Sequence, residues 1–377
     1  MKRILAIALC LVMVLAIVAC GTKPEQTTEA PKNETTEAPK NETTQAPSTD
    51  VTEVEYKLGM GIVVDMTSSA TGNAQVDATV ATVVVDAEGK IVACRIDVAQ
   101  NKMNVTDGAV DTAAVFQTKM EKGDAYGMAA ALNYGMDWNK DGVVKEWYDQ
   151  AKAFEAYVVG KTVAEVEATK TQVVEGHGYI ISADEALLTA GCTIQITDFV
   201  AAVVKACNDE QGMTFKTAGE FTLGVAANTT AASSTAATAD ADGSVQMYSD
   251  FACAVVADGK VIATLNDAIQ PKITISATGE IVETAFKGTK RELKEGYNMA
   301  AFGTPNVEGG TVLEWYVQSA AFSNYVLGKT ATEIDNMETK LVNNHYISVE
   351  EGLLSAGCTM QITGICDVVA EAANNAR

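Results

Sequence analysis

Three phrases of this chain occur twice, in the same order. Glu146-Trp147-Tyr148 returns as Glu314-Trp315-Tyr316, with Gln150 matched by Gln318. Tyr157-Val-Val-Gly160-Lys161-Thr162 returns as Tyr325-Val-Leu-Gly328-Lys329-Thr330. Leu187-Leu-Thr-Ala-Gly191-Cys192-Thr193-Ile-Gln195-Ile-Thr197 returns as Leu353-Leu-Ser-Ala-Gly357-Cys358-Thr359-Met-Gln361-Ile-Thr363. Shorter matches precede them: Gln100 and Lys102 with Gln270 and Lys272, and Tyr126-Gly-Met128 with Tyr297-Asn-Met299. The spacing between partners drifts only from 166 to 171 residues. A period this long marks a duplicated domain, not a solenoid unit. Two repeat domains are expected, at 54–212 and 219–377.

What precedes the repeats is a different kind of chain. Met1-Lys2-Arg3 is a basic start and Ile4 to Val18 an apolar run, short for a membrane span and right for an export signal. The run closes on Ala19-Cys20-Gly21, which resembles the bacterial lipobox. That resemblance implies a signal peptide over 1–19 and a lipidated Cys20, whose acyl chains would hold the protein at the outer face of the cell membrane. Thr27-Thr-Glu-Ala-Pro-Lys-Asn-Glu34 then repeats as Thr35 to Glu42. With almost nothing apolar to bury, 20–53 is expected to be a disordered tether. Extended at ~3.1 Å per residue, it would reach on the order of 100 Å. Four of the six prolines fall in this segment: Pro24, Pro31, Pro39 and Pro47.

Charge removes several functions. The chain carries 49 Asp+Glu against 27 Lys+Arg, a net −22. Nucleic acid and anionic headgroups both need clustered cations, so neither is an expected partner. The two histidines, His177 and His345, rule out a polyhistidine metal centre. They match between the copies by sequence, and are expected as hydrogen-bonding loop residues.

Each repeat opens with strands. Gln75 to Asp86 and Ile91 to Val98 are joined by Ala87-Glu-Gly-Lys90; Val245 to Ala257 and Lys260 to Leu265 are joined by Asp258-Gly259. Asp-Gly between apolar strands is a strong hairpin signal. Trp147, Ala151, Phe154 and Val158 then share a helical face, as do Trp315, Ser319, Phe322 and Val326. Both tryptophans are expected in the core. Gly160 and Gly328 stand where helix C-caps belong. Apolar helices over Asp198 to Cys207 and Ile365 to Ala373 end the copies. The fold class is α+β, a small antiparallel sheet packed by helices in each copy.

Several motifs have ordinary readings. Gly160-Lys161-Thr162 lacks the earlier glycine of a phosphate loop, because Glu155 stands there. Thr162 with Glu165, and Thr330 with Glu333, instead have capping-box spacing. Asp137-Trp-Asn139-Lys-Asp141-Gly142 begins like a calcium loop, but its twelfth position is Tyr148, so a surface turn is the better reading and no metal site is assigned. Only Cys192 and Cys358, of six cysteines beyond the export segment, correspond between copies. Most are expected as buried small hydrophobes, not disulfides. No arrangement of nucleophile and base stands out.

The remaining signal is Ala190-Gly191-Cys192-Thr193 and its twin Ala356-Gly357-Cys358-Thr359. Such a turn lets backbone amides approach an anion beside a hydroxyl. With the hairpin before it and the Ala/Val helix after it, each copy resembles the FMN-binding domain of bacterial surface electron-transfer lipoproteins. In that family the turn is Ser-Gly-Ala-Thr with an Asp upstream, and a flavin transferase joins FMN phosphate to the Thr. Carried over, Gly191, Thr193, Gly357 and Thr359 bind cofactor, with Thr193 and Thr359 as acceptors. Here the Ser is Ala190 or Ala356, and the Asp position holds Leu187 or Leu353. The resemblance implies FMN and a redox partner, and an extracellular electron carrier without its own substrate. A second reading stays open, a non-catalytic surface module or scaffold without flavin. In it Tyr126, Trp147 and Tyr157, and Tyr297, Trp315 and Tyr325, with Gln150 and Gln318, would line two pockets.

Overall fold

The computed structural model describes residues 52–377; the export segment, Cys20 and the tether up to residue 51 lie outside the described residues. The chain is α+β. Its first half forms β1 (Val54–Asp65), β2 (Asn73–Val85) and β3 (Ile91–Asn104), then α1 (Lys119–Lys122), α2 (Trp147–Val158) and α3 (Val163–Glu167). A small hairpin of β4 (Thr171–Val173) and β5 (Ile180–Ser182) follows, then α4 (Glu185–Thr189), α5 (Thr197–Cys207) and β6 (Met213–Thr217). The second half forms β7 (Thr222–Thr230), β8 (Gly243–Val245), β9 (Tyr248–Ala257), β10 (Lys260–Ile269), β11 (Lys272–Ile275) and β12 (Ile281–Ala285). After these come α6 (Lys290–Leu293), α7 (Met299–Phe302), α8 (Trp315–Tyr325) and α9 (Ala331–Asp335). The hairpin of β13 (Thr339–Val342) and β14 (His345–Ser348), α10 (Glu351–Ser355) and α11 (Thr363–Asn374) complete it. Among the described residues no helix is long and apolar enough to cross a membrane.

All strand pairs are antiparallel, and the main sheets run β3-β2-β1-β6 and β10-β9-β7. Alternation along the strands explains how they pack. In β2, Ala74, Val76, Ala78 and Val80 join one central cluster, whereas Ala81 and Val83 face α2 and α5. In β9, Phe251, Cys253 and Val255 enter the same central cluster, and Ala252 and Ala254 face the α8 and α11 side. The two sheets therefore share a central core, and each carries helices on its other face. Strands buried on both faces need apolar side chains at every position, hence runs such as Val83-Val84-Val85.

The local signals behave as their chemistry demands. Asp258 (φ 50°) and Gly259 (φ 73°) form the tight hairpin turn. Thr162–Glu165 and Thr330–Glu333 are reciprocal capping boxes. Two more, Thr118–Glu121 and Thr289–Glu292, start α1 and α6. Trp147 and Trp315 are buried, and the six cysteines among the described residues are free, five of them buried. The histidine match does not survive the hydrogen-bond register. Ser182 pairs with Thr171 and Ser348 with Thr339, which sets His345 at the Tyr179 position. His177 instead lies in the longer turn between β4 and β5, donating its amide to Val174 O.

A pseudo-twofold relation places two interfaces between the halves. At one, Arg291 binds Asp209 at 3.0 Å and Lys205 pairs with Glu292. At the other, Met120 and Asn375 take the places of Arg291 and Asp209, and Glu371 takes that of Lys205 and faces Glu121. Burial, then Glu121 beside it, push the Glu371 carboxyl up to about 7, with Asp97 and Asp367 adding in the same direction. An acid whose folded pKa is raised destabilises the fold as pH climbs from its unfolded value, about 4.3, through the folded one. Glu371→Gln should therefore raise Tm at pH 8 and leave it unchanged near pH 4. Glu371 is partly exposed, so solvent screening holds the gain to about 1 kcal/mol, or roughly 2 °C. Thermal melts of both proteins from pH 4 to 8 check the slope.

Candidate functional site

Repeated residues hold the site together. Glu146, just before α2, accepts from the amides of Met128 (2.8 Å) and Ala129 (3.1 Å); Glu314 does the same for Met299 (2.9 Å) and Ala300 (3.2 Å). The Glu-Trp-Tyr phrase thus ties the Tyr-x-Met segment to the main helix. The tyrosines of both phrases reach acids: Tyr148 donates to Asp124 and Tyr157 to Asp184, and Tyr316 to Glu295 and Tyr325 to Glu350.

The Gly-Cys-Thr turn is the C-terminal cap of a short helix. Gly191 (φ 88°) follows α4 and Gly357 (φ 90°) follows α10, in the left-handed conformation that glycine adopts without strain. Its amides point inward. Gly191 N donates to Leu188 O and Cys192 N to Leu187 O, and Gly357 and Cys358 repeat this with Leu354 and Leu353. Thr193 N donates to Gln150 Oε1 at 2.8 Å, and Thr359 N to Gln318 Oε1 at 2.8 Å. Gln150 and Gln318 are fully buried and spend their amide groups on Lys145 O and Leu313 O. The turn therefore presents no free amide to a phosphate. It also does not lead into a strand, because Gln150 takes the Thr193 amide and Ile180 O takes that of Ile196.

Thr193 does line a cleft in the first repeat, of about 430 Å³. Trp147, Tyr126, Trp138 and Tyr179 give it aromatic walls, with Lys119 and three carboxylates, Asp65, Asp77 and Asp198. Thr193 itself is 4% exposed, and its hydroxyl lies 3.3 Å from Gln150 Oε1. Tyr157, expected in the same aromatic set, caps its hydroxyl on Asp184 and does not line this cleft. The loop Asp137–Gly142 closes on itself, Asp137 accepting from Gly142 N at 2.7 Å. No group of three or more His, Cys, Asp or Glu among the described residues is placed to hold a metal ion.

Lys119 is the residue that motif reading missed. Its ammonium lies 5.1 Å from the Tyr126 ring centre and 5.4 Å from that of Trp147, close enough for a cation–π contact. Lys290 repeats the arrangement with Tyr297 (4.8 Å) and Trp315 (5.2 Å). Burial pulls both ammonium groups below the usual lysine range, Lys290 to about 8, against the opposing pull of nearby aspartates. Each follows a capping Thr beside a buried carboxyl, Asp97 or Asp267, that burial raises to about 6. The signal was present in the self-comparison, as Thr118-Lys119-Met-Glu121 against Thr289-Lys290-Arg-Glu292.

No family model and no solved structure matches the chain. A chlorophenol reductase of Desulfitobacterium hafniense is similar to part of it, 35% identical over 96 residues. Those residues are 22% of this chain and 27% of the reductase, so the chain spans well under two thirds of that protein.

Proposed function

We propose that this chain is an extracytoplasmic lipoprotein, held by lipid on Cys20 at the outer face of a bacterial membrane, whose first repeat binds a flavin ring non-covalently to carry electrons. The observation that carries the reading is the 430 Å³ cleft with Thr193 in its wall. Its size suits a small ligand, and the aromatic surface that Tyr126, Trp138 and Tyr179 give its lining suits a flat ring system. A bound flavin supplies one- or two-electron transfer. The chain's part is to stack the ring, exclude water from it, and set the charge around it through Lys119.

A phosphoester on Thr193 does not fit. The hydroxyl is buried against Gln150, and Leu187, at the acid's position, is fully buried in the core. The same holds for Leu353 in the second repeat. Non-covalent binding needs no flavin transferase, so the partner in this reading is an electron donor or acceptor at the membrane surface. Three carboxylates against one lysine favour the ring of the flavin over its phosphate. Similarity to a protein named as a reductase agrees with a redox role.

Titration of the full chain with riboflavin and with FMN, followed by flavin fluorescence, tests the reading. Saturable quenching is expected, with riboflavin bound at least as tightly as FMN. No quenching by either would sink it. The same lining of aromatic faces and carboxylates then favours a non-catalytic binding module for a cationic ligand.

A further inference from the structure

We propose that the second repeat keeps a latent copy of the cleft, plugged by its own Tyr248, so that the chain binds one ligand and not two. This rests on the reading of the first cleft as a binding site. The register fixes the comparison. Asp77 of β2 stands opposite Gln100 of β3. Gln270, the twin of Gln100, lies one residue past the last pair of the second sheet, Ile269 with Ser249, so the residue in the place of Asp77 is Tyr248.

Where the first repeat has a short carboxylate at a cleft wall, the second has a ring lying against the buried lysine. Lys290 Nζ is 4.6 Å from the centre of the Tyr248 ring and donates to its hydroxyl at 3.0 Å. That hydroxyl donates to Asp250 Oδ1 at 3.0 Å. Asp250 stands at the Thr79 position of the first sheet, opposite Ala268 as Thr79 is opposite Val98. The acid at the start of the last helix, Asp198, is replaced by Gly364. A Cβ there would lie 2.7 Å from Asp250 Oδ2, so the glycine makes room for the relocated acid.

The three changes act together. Asp77, Thr79 and Asp198 leave Lys119 partly exposed in an open cleft; Tyr248, Asp250 and Gly364 enclose Lys290, which is 6% exposed. The Tyr248 hydroxyl, the Lys290 ammonium and Asp250 Oδ1 are thus joined in one chain of hydrogen bonds, which offsets much of the cost of closing the site. The loop above closes too. Asn306 Nδ2 donates to Thr359 O at 2.9 Å, where the first repeat places Trp138 in the cleft wall.

Two measurements on the full chain test this. Riboflavin stoichiometry should be one per chain in the natural protein and two in Tyr248→Ala. Two per chain in the natural protein, or one in a folded Tyr248→Ala, would overturn the plug. Amine labelling read by mass spectrometry needs no flavin. Lys290 should label at least tenfold more slowly than Lys119, and Tyr248→Ala should remove the difference. Equal labelling in the natural protein overturns the plug, whatever binds. Protection of Lys290 with no riboflavin bound leaves the plug standing and removes the flavin reading instead.

Discussion

Alanine at Gly224 is expected to cost about 3 kcal/mol of stability or more, and alanine at Gly59 a similar amount. Gly224 lies on β7 where α11 crosses, and Gly59 on β1 where α5 crosses. An added Cβ would penetrate the carbonyl oxygen of Ala372 in the first case and of Ala206 in the second. Both obstacles are helix backbone. The helix must therefore lift from the sheet, and its apolar neighbours, Val369 or Val203 among them, lift with it. Overpacking a core costs 1–3 kcal/mol where side chains can yield, and more where they cannot. A loss of 3 kcal/mol is roughly 6 °C in Tm for a chain somewhat smaller than this one. Gly219→Ala is the control: nothing lies within 4 Å of its added Cβ and its φ is ordinary, so it should be neutral or slightly stabilising. Urea unfolding of the three variants checks the order. Loss of stability in Gly219→Ala equal to that in Gly224→Ala would contradict the close-approach argument.

Those glycines also show why part of the fold was hard to read. The hairpins declared themselves through Asp258-Gly259 and the Val-rich runs on either side of Ala87-Glu-Gly-Lys90. The strands Val54–Asp65 and Thr222–Thr230 did not, because Gly59, Gly61 and Gly224 are poor strand formers. They are there for the helix that crosses them, a tertiary fact with no local signature. The sharing of a central core by two sheets was hidden for a related reason. A strand apolar on both faces does not say which face meets helices and which meets another sheet.

At the site, sequence comparison singled out a repeated turn but not what its amides bind. Thr193 lines the cleft but Gly191 does not, and the amides expected to face an anion are consumed by Leu187, Leu188 and Gln150. Gln150 was legible as a repeated polar residue on the Trp147 helix. That its amide would clamp a turn some forty residues further on depends on how α2 docks. The divergence between copies was legible residue by residue, but Asp77 and Tyr248 could be matched only once strand register was known.

Asp209→Ala is expected to destabilise the protein by 3–5 kcal/mol, because it strands a buried guanidinium. Arg291 is 6% exposed and held from several sides: its Nη2 donates to Asp209 and to Gln211 O at 2.8 Å, while its own amide is fixed by Asp267 at 3.0 Å. Asp209 also accepts from Met60 N at 3.1 Å, so its loss opens a second backbone donor on β1. The double variant Asp209→Asn with Arg291→Met should recover most of that loss. The reason lies within the molecule. At the pseudo-equivalent interface the same two positions are already Asn375 and Met120; there Asn375 Nδ2 donates to Val225 O, whereas Asp209 accepts from Met60 N. One interface thus shows that the other can be built without that ion pair. Replacing a buried pair by neutral groups of similar volume is often neutral or stabilising, whereas removing one partner is costly. Urea unfolding of Asp209→Ala, of the double variant and of the natural protein measures the difference. Recovery of less than half the loss in the double variant would mean that the ion pair does more at its interface than the neutral pair does at the other.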